Sequence, residues 1–550
     1  MSEPAADLAT QTSTASQART VSQASTVSQA STVGQTSADS QARTVSQAST
    51  VSQASTAAGD QAAEPDLSTQ VRSGLGWSLL NSVISRVANV ALGILLARLL
   101  IPQDYGVFAV GLVFMVGLGS MNELGTSVAI VRWRGDVERA ARTAVTLSVV
   151  TSLLLYFSCF LLAPALAATL NAPQATGLLR LMALGVVIDG CSSIPNALLT
   201  RNFLQGKRMI ADLAGFAVSA SITVSLAATG HGATSLALGI LSSNLTATLL
   251  ILLMAPSRPL PGWHREDAKG LLKFGLPLAA TSLLWFAIQN VDYIIVGHVS
   301  NSTELGLYML AFNVASWPSN LLTFAIRRVA IPGFARLQGD REAFSAAFAT
   351  SMGALVSLIL LPCLLLTMLA KPLVLFLYGP EWLPAAAALT WLGLVGSARV
   401  LLDLCYDALV GDDRPMALFG LQVLWLVTLI PALTIGTESA GIRGTALGHV
   451  AITFGVAGVS YLFMMRRGGV RLAPLARAVT RPALSGAAMM VVLVLGRDRF
   501  SSPALTLVVV GGLASVVYLA LVVPQPIRRK VLAKLRQRRD AGASVQSSAA

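Results

Sequence analysis

Two long apolar segments separated by four residues place the strongest constraint on this chain. Residues 74–100 and 105–131 are each apolar for more than the roughly 20 residues that a helix needs to cross a bilayer. Pro102 is expected to end the first helix, and Asp104 to cap the second by accepting from its free N–H groups. A mean hydropathy of +0.67 with 12% charged residues also departs from the roughly 25% charged residues of soluble domains. The sequence therefore predicts an all-α integral membrane protein.

Twelve further apolar runs follow, so about 14 transmembrane helices are predicted. The later runs lie near 143–168, 178–199, 209–229, 232–255, 271–297, 305–331, 343–369, 382–410, 415–435, 441–465, 480–496 and 503–524. Only the short segment 229–232 divides the fifth run from the sixth. Gly444 and Gly448 are spaced as in the close packing surfaces of membrane helices, and we expect them to pack in that way.

Basic residues alternate strongly between the predicted loops. The loops after even-numbered helices, together with the C-terminal tail, hold 28 Lys and Arg residues, whereas the opposite loops hold six. Retained cytoplasmic loops carry such an excess, so both termini are predicted to be cytoplasmic. The net charge of +13 is dispersed over short loops without an aromatic-basic surface, which excludes a nucleic-acid partner.

An internal repeat divides the predicted helices into two related sets. Residues 98–108 align with 298–308, and 206–209 align with 413–416. Six helices separate the equivalent segments, which indicates a parallel repeat with a substrate site near the midplane between the halves. We therefore predict two pseudo-symmetric six-helix lobes, 71–255 and 271–465. A cytoplasmic linker, 256–270, joins them, and 466–550 adds two C-terminal helices and a basic tail.

Residues 1–70 form a Ser/Thr/Gln/Ala tail in which a six-residue unit recurs. The tail has too few large apolar side chains to offset the entropy of ordering, so we expect it to be disordered. A passive role is the simplest interpretation. A docking or phosphorylation role stays open.

Several short motifs resemble bacterial polysaccharide exporters, the lipid-linked oligosaccharide flippases of the multidrug/oligosaccharidyl-lipid/polysaccharide superfamily. The resemblance covers roughly residues 70–465. It rests on Ala97-Arg-Leu-Leu-Ile-Pro-Gln-Asp-Tyr-Gly106, Phe274-Gly-Leu-Pro277, Asn290-Val-Asp292-Tyr-Ile-Ile-Val-Gly297, Leu305-Gly-Leu-Tyr308, Arg328-Val-Ala-Ile-Pro332 and Tyr378-Gly-Pro-Glu-Trp382-Leu-Pro384.

The resemblance implies a two-lobed bundle in the bacterial plasma membrane. It implies that a lipid-linked saccharide, on a polyprenyl diphosphate, is turned from the inner to the outer face by alternating access. Membrane lipids are expected partners. A polysaccharide polymerase or export complex, and H⁺ or Na⁺ as coupling ion, are open alternatives. A cation or drug antiporter of the same superfamily also stays open, as does a membrane glycan polymerase, which the short outer loops disfavour.

Ionisable residues inside the predicted helices are the candidate substrate-binding residues. Arg86 lies mid-way along the first helix with Asn89 nearby, and Glu123 lies deep in the second. Such groups usually face a bundle interior or a water-filled cavity, which favours a transporter. Arg86 either holds a phosphate in the cavity or pairs structurally with Glu123 or Asp189.

Two further positions lie in the second set of helices. Asp292, beside Asn290, either binds a coupling cation or a sugar hydroxyl, or pairs with an arginine in the cavity. Arg399 precedes Asp403 and Asp407 by one and two helical turns, so it is either a cavity group or part of structural ion pairs.

The remaining signals argue against other classes of site. The four histidines are scattered, and no Gly-rich loop with a lysine could cradle a nucleotide. We therefore expect no metal, no cofactor and no catalytic residue. The four cysteines lie in apolar runs and are expected to be small core residues.

Overall fold

The computed structural model describes residues 88–523, apart from 123–124, 203, 338 and 412–414. Within these residues the regular secondary structure is entirely helical. The α-helices are α1 Ala88–Leu99, α2 Pro102–Asn122, α3 Thr126–Arg132, α4 Val137–Thr169, α5 Thr176–Arg201, α6 Gln205–Ala228, α7 Ala233–Met254, α8 Arg265–Val299, α9 Ser302–Ala335, α10 Arg341–Met368, α11 Ala370–Leu377, α12 Ala385–Gly411, α13 Pro415–Ile452, α14 Val459–Arg467, α15 Leu472–Gly496 and α16 Pro503–Val522. The π-helical segment Thr453–Gly458 joins α13 to α14.

Eleven helical segments in the described part of the chain are long and apolar enough to cross a membrane. Large apolar side chains stand exposed on their surfaces, with Leu161 75% and Val508 73% accessible. Water would disfavour so much exposed apolar surface, whereas lipid accepts it. The protein is therefore a multi-pass membrane protein. The count of 14 remains a prediction, since only residues 88–100 of the first run are described and one segment joins the eleventh and twelfth runs.

That joined segment contains a sharp reversal within α13. Ala440 and Gly441 have non-helical backbone angles, and Gly441 has φ 55°. A Cβ on Gly436 would overlap the carbonyl oxygen of Gly444, and one on Gly448 would lie 2.6 Å from the carbonyl oxygen of Ala432. Pairing of 436 with 444 and of 432 with 448 makes two antiparallel arms with touching backbones. The predicted packing of Gly444 and Gly448 is confirmed.

A second tight hairpin joins α6 to α7. Its turn contains Gly230 with φ 82° and Gly232 with φ 52°, a left-handed conformation that glycine adopts without steric cost. Farther along the arms, a Cβ on Gly215 would lie 2.8 Å from the carbonyl oxygen of Ser243. The division predicted between the fifth and sixth runs therefore lies at this turn.

The first hairpin differs in detail from the prediction. α1 ends at Leu99 and Pro102 is the first residue of α2, so Pro102 begins the second helix rather than ending the first. A first-turn proline loses no hydrogen bond, and its fixed φ suits a helix. Asp104 is the third residue of α2 rather than the residue before it, and its carboxylate accepts the N–H of Ile101 at 3.3 Å.

Matching N-caps open α4 and α10, whose first turns are similar in sequence. Asp136 accepts from the N–H groups of Glu138 and Arg139 at 3.1 and 3.2 Å. Asp340 accepts from the N–H groups of Glu342 and Ala343 at 3.1 and 2.9 Å. The repeat thus has a local counterpart in the caps.

The described residues fall into two compact units. The first comprises 88–312, 377–388 and 415–452, and the second comprises 313–376, 389–411 and 453–523. In the first unit a core cluster forms around Ile130, Ala144, Ile194 and Leu271. In the second, α15 and α16 pack on α10 around a core that includes Tyr518.

The cysteines follow the prediction with one exception. Cys159, Cys363 and Cys405 are buried free thiols, as expected for small core residues. Cys191 is exposed, so the prediction was wrong there. An apolar run in a membrane protein includes faces that meet lipid or a cavity, and sequence alone does not separate these from the core.

Candidate functional site: the crossing and the polar residues near it

The first turns of α2 and α9 cross within the first unit, and we call residues 102–106 and 302–306 the crossing. A Cβ added to Gly106 would overlap the carbonyl oxygen of Ser302. A Cβ added to Gly306 would overlap the carbonyl oxygen of Pro102 and lie 2.7 Å from the Gly106 nitrogen. The contacts are reciprocal, and each requires a residue without a side chain.

An acidic side chain on each arm of the crossing faces a glycine in one of the two tight hairpins. The Asp104 carboxylate lies against Gly232, in the turn between α6 and α7. The Glu304 carboxylate lies against Gly441, in the reversal within α13, where an added Cβ would be 3.3 Å away. Both glycines have positive φ. Each arm of the crossing therefore places an acid beside a tight, glycine-containing turn.

Two aromatic side chains and one arginine make contacts on the α2 side of the crossing. The Trp382 indole is 1% exposed, donates to the carbonyl of Ala97 at 2.7 Å, and meets the Tyr105 ring edge-on at 4.9 Å. Arg98 donates from Nε to the carbonyl of Leu377 at 2.8 Å.

Side chains from the end of α4 and the following turn bind the α8–α9 side of the crossing. Asn171 donates to the carbonyl of His298 at 2.6 Å, and His298 Nδ1 lies 2.6 Å from the carbonyl of Thr169. Gln174 donates to the hydroxyl of Ser302 at 3.2 Å. Side-chain contacts therefore hold the crossing on both its α2 side and its α8–α9 side.

A buried carboxylate, Asp292, lies close to the crossing. Asp292 on α8 is 2% exposed and accepts the hydroxyl of Tyr308 at 3.1 Å and the N–H of Tyr293 at 3.0 Å. Tyr308 lies two residues beyond Gly306 on α9. Burial of a carboxylate is tolerated only when hydrogen bonds or a charge partner replace water. The crossing therefore positions one of the hydroxyls that hold this group.

Aromatic rings surround the Asp292–Tyr308 pair. The Tyr293 and Tyr308 ring centroids are 5.9 Å apart, and Tyr293 meets Phe312 edge-on at 5.6 Å. Phe312 in turn lies 6.4 Å from the imidazole of His449, which is buried on α13. A carboxylate, a phenol and an imidazole thus lie within one aromatic cluster of the first unit.

The predicted site residues are distributed unevenly over the structure. Arg86 and Glu123 lie outside the described residues. Asn89 is exposed on the first turn of α1. Asn290 is half-buried on α8, two residues before Asp292, and donates to the carbonyl of Phe286 at 2.9 Å.

Arg399 is half-buried on α12 in the second unit. The structure therefore places Asn290 and Asp292 two residues apart on one helix and joins Asp292 to Tyr308 by a hydrogen bond. The roles given to the six residues stay predictions.

A second group of polar residues surrounds the break between α2 and α3. Asn122 ends α2 and is buried, and its amide lies beside Asp189, which is itself near Arg208. Arg208 Nε lies 3.8 Å from the carboxylate of Asp212. Gly125, with φ 61°, continues the break, and an added Cβ there would lie 2.8 Å from the Cα of Gly275. Irregular backbone at membrane depth is tolerated where it is buried in protein or lines a cavity.

Sequence reasoning missed three residues of this site as functional candidates. From the sequence, Tyr308 and Trp382 were identified only as members of motifs that resemble the family. Gly306 was identified only as a position in the alignment of 298–308 with 98–108. The repeat itself was the usable signal for the glycines, since 106 and 306 occupy equivalent positions. Among the described residues, no group of three or more His, Cys, Asp or Glu could hold a metal ion.

The sequence matches a family described as polysaccharide biosynthesis protein over residues 95–387. It is 25% identical to the lipopolysaccharide biosynthesis protein WzxC of Escherichia coli, over 72% of this chain and 80% of that protein. It is 24% identical to the succinoglycan biosynthesis transport protein ExoT of Rhizobium meliloti, over 86% of this chain and 97% of that protein.

The fold is similar to that of the lipid II flippase MurJ in an inward closed conformation. The TM-score is 0.68 at 13% sequence identity, over 82% of this chain and 99% of that one. At this identity the similarity concerns the fold alone.

Proposed function

Since the chain belongs to the polysaccharide biosynthesis protein family, we propose that it is a flippase for lipid-linked oligosaccharides or polysaccharide repeat units. The proposed activity moves a polyprenyl-diphosphate-linked glycan from the inner to the outer face of the bacterial plasma membrane. The observation that carries the proposal is the family match over residues 95–387, which includes both arms of the crossing and Asp292. Two curated relatives are named for lipopolysaccharide biosynthesis and succinoglycan transport.

The proposal includes the arrangement expected from the repeat. Twelve of fourteen helices form two pseudo-symmetric six-helix lobes, 71–255 and 271–465, two further helices follow at the C-terminal end, and both termini lie in the cytoplasm. Two observations support it, namely the reciprocal contacts of Gly106 and Gly306 and the matching caps of Asp136 and Asp340. The uneven distribution of Lys and Arg supports the orientation.

In this orientation the crossing closes the outer end of the first unit. Release of a glycan to the outside then requires α2 and α9 to separate at Gly106 and Gly306. Separation would break the backbone contacts of the two glycines and uncover the buried Tyr105–Trp382 pair beside them. Alternating access by this route gives the flippase an outer gate.

Arg86 is proposed to hold the diphosphate on its way across, with Asn89, Glu123 and Arg399 as further cavity residues. The general chemistry of arginine in membrane helices supports this role for Arg86. An arginine at the centre of a membrane helix costs about 2.5–3.5 kcal/mol on insertion scales, which favours a functional reason for its position. A planar guanidinium binds phosphate oxygens in pairs. Each negative charge moved outward across ~100 mV, inside negative, gains about 2.3 kcal/mol.

Asp292 is proposed as the position at which H⁺ or Na⁺ couples to transport. The carboxylate is buried, and the Tyr308 hydroxyl holds one of its oxygens. Neutralising a buried carboxylate removes a large desolvation cost, so binding of a cation there would change the stability of the closed crossing. Asn290, two residues away, is proposed to contact a sugar hydroxyl. A polysaccharide polymerase or export complex is the proposed protein partner.

The decisive experiment follows the lipid-linked glycan in cells that lack the gene. We expect the glycan to accumulate on the inner leaflet, where added glycosidase cannot reach it in intact cells, and surface polysaccharide to fall. The full-length gene should restore both. If the glycan stays evenly distributed while sensitivity to cationic drugs rises, the protein is an antiporter.

A further inference from the structure

A cavity of about 460 Å³ opens between α15 and α16 in the second unit. Its lining residues are Arg477, Thr480, Arg481, Leu484, Ser485 and Leu521. Two of the six are arginines and none is acidic. The cavity is therefore positively charged and belongs to the two helices that follow the repeat.

Arg481 is held in place by the end of α16. Its Nε and Nη2 donate to the carbonyls of Leu521 and Val523, each at 2.9 Å. A guanidinium has five N–H donors, so three remain for a ligand. These carbonyls belong to the last turn of a membrane helix, which puts Arg481 at the membrane boundary rather than at its midplane.

Arg477 lies one turn before Arg481 on the same helix and is exposed. Within the described part of the chain Arg477 forms no ion pair, and two acids that follow or contact this part of the fold pair with other arginines, Glu342 with Arg471 and Asp498 with Arg497. Two guanidinium groups one helical turn apart suit a phosphate, which both can contact at once.

The other side of the cavity is apolar and continues along the outer face of α15. Leu484 is 66% and Leu521 46% exposed, and Val491 and Leu495 extend the exposed apolar surface toward the far end of the helix. A free phosphate would leave this surface bare. A phospholipid would cover it with an acyl chain while its headgroup met the arginines.

We propose that this cavity binds an anionic phospholipid, with the phosphate against Arg477 and Arg481 and one acyl chain along Leu484 and Leu521. The site is separate from the crossing and from the residues proposed to handle the glycan. In the proposed orientation the lipid belongs to the cytoplasmic leaflet. Bound there, it would contact α15 through its headgroup and the end of α16 through its acyl chain at Leu521.

The test uses the full-length protein purified in a non-ionic detergent, with thermal unfolding as the readout. Phosphatidylglycerol should raise the unfolding temperature at concentrations where phosphatidylcholine, whose net charge is zero, does not. Inorganic phosphate at the same concentration should have no effect. Equal stabilisation by the two lipids, or by phosphate alone, would overturn the proposal.

Variants assign the effect to the cavity. Arg477→Gln should weaken phosphatidylglycerol binding about tenfold, as loss of one charge-assisted contact implies. Arg477→Lys should retain part of the binding because it keeps the charge. Arg499→Gln, outside the cavity lining, is the matched control and should bind like the unaltered protein. If Arg477→Gln retains the full stabilisation by phosphatidylglycerol, the lipid binds elsewhere.

Discussion

Gly106 and Gly306 occupy reciprocal positions at the crossing, where each has a backbone atom of the other's helix in the space of its missing side chain. They are also equivalent in the internal repeat. At this contact each arm presents a glycine to the backbone of the other arm. The gate proposed for the outer end is therefore symmetric at its closest contact.

Enlarging either glycine should prevent the crossing from closing. Overpacking of a tight contact costs typically 1–3 kcal/mol, so Gly106→Ala or Gly306→Ala should lower the ratio of closed to open protein by about 5- to 150-fold. Export of the lipid-linked glycan should fall with it, at unchanged protein level. Gly119→Ala on the same helix is the control, because nothing lies within 4 Å of an added Cβ there. Equal export by all three variants would contradict the gate.

Trp382 should stabilise the folded protein through its buried indole N–H. Trp382→Phe leaves the carbonyl of Ala97 without this donor, and the loss of a buried hydrogen bond costs about 1–3 kcal/mol. Thermal unfolding of the purified protein should therefore shift to lower temperature. The exposed Trp263 provides the comparison, since Trp263→Phe removes no such bond. A similar shift for both variants would mean that the bond contributes nothing specific.

Asp292 and Tyr308 should act as a coupled pair. Asp292→Asn and Tyr308→Phe each remove one side of a buried hydrogen bond, so the double variant should cost less than the sum of the singles. The measurement is a double-mutant cycle on unfolding temperature, and a coupling of about 1 kcal/mol is expected. Transport driven by an ion gradient should fall in Asp292→Asn while folding persists. Strict additivity would show that the two groups act independently.

Reporter fusions should recover the proposed orientation. Fusions after Arg142, Lys269 and Arg341 should report the cytoplasm, and fusions at Gln103 and Ser302 should report the outside, because basic residues concentrate in retained loops. A clear reversal at any one of the five sites would undo the fourteen-helix assignment.

Arg86 should be needed for export and not for insertion. Arg86→Ala should insert normally and fail to export, whereas Arg86→Lys should keep partial export because the charge remains while the paired donors are lost. The comparison that decides its role adds Asp292→Ala to Arg86→Ala at matched protein level. Restored export in the double variant would mean that Arg86 only neutralises a buried acid.

Much of the helical pattern was predictable because each helix that spans a membrane must be apolar over most of its length. The close packing of the two arms of α13 was also predictable, from the spacing of Gly444 and Gly448. The partners of Asp292 and Trp382 were not, because contacts between helices depend on rotation and tilt that hydropathy does not encode. Cys191 shows the same limit, since one apolar run holds both buried and exposed faces.

The two glycine-lined hairpins also bear on the order in which the chain assembles. Their arms are neighbours in sequence, so their contacts cost little loop-closure entropy and can form soon after each pair of helices is made. The crossing needs residues 106 and 306 together, so it cannot form until the chain has been synthesised through the first turn of α9. A chain interrupted before Ser302 would hold a finished α6–α7 hairpin, with Asp104 already able to meet its turn, and would lack the crossing.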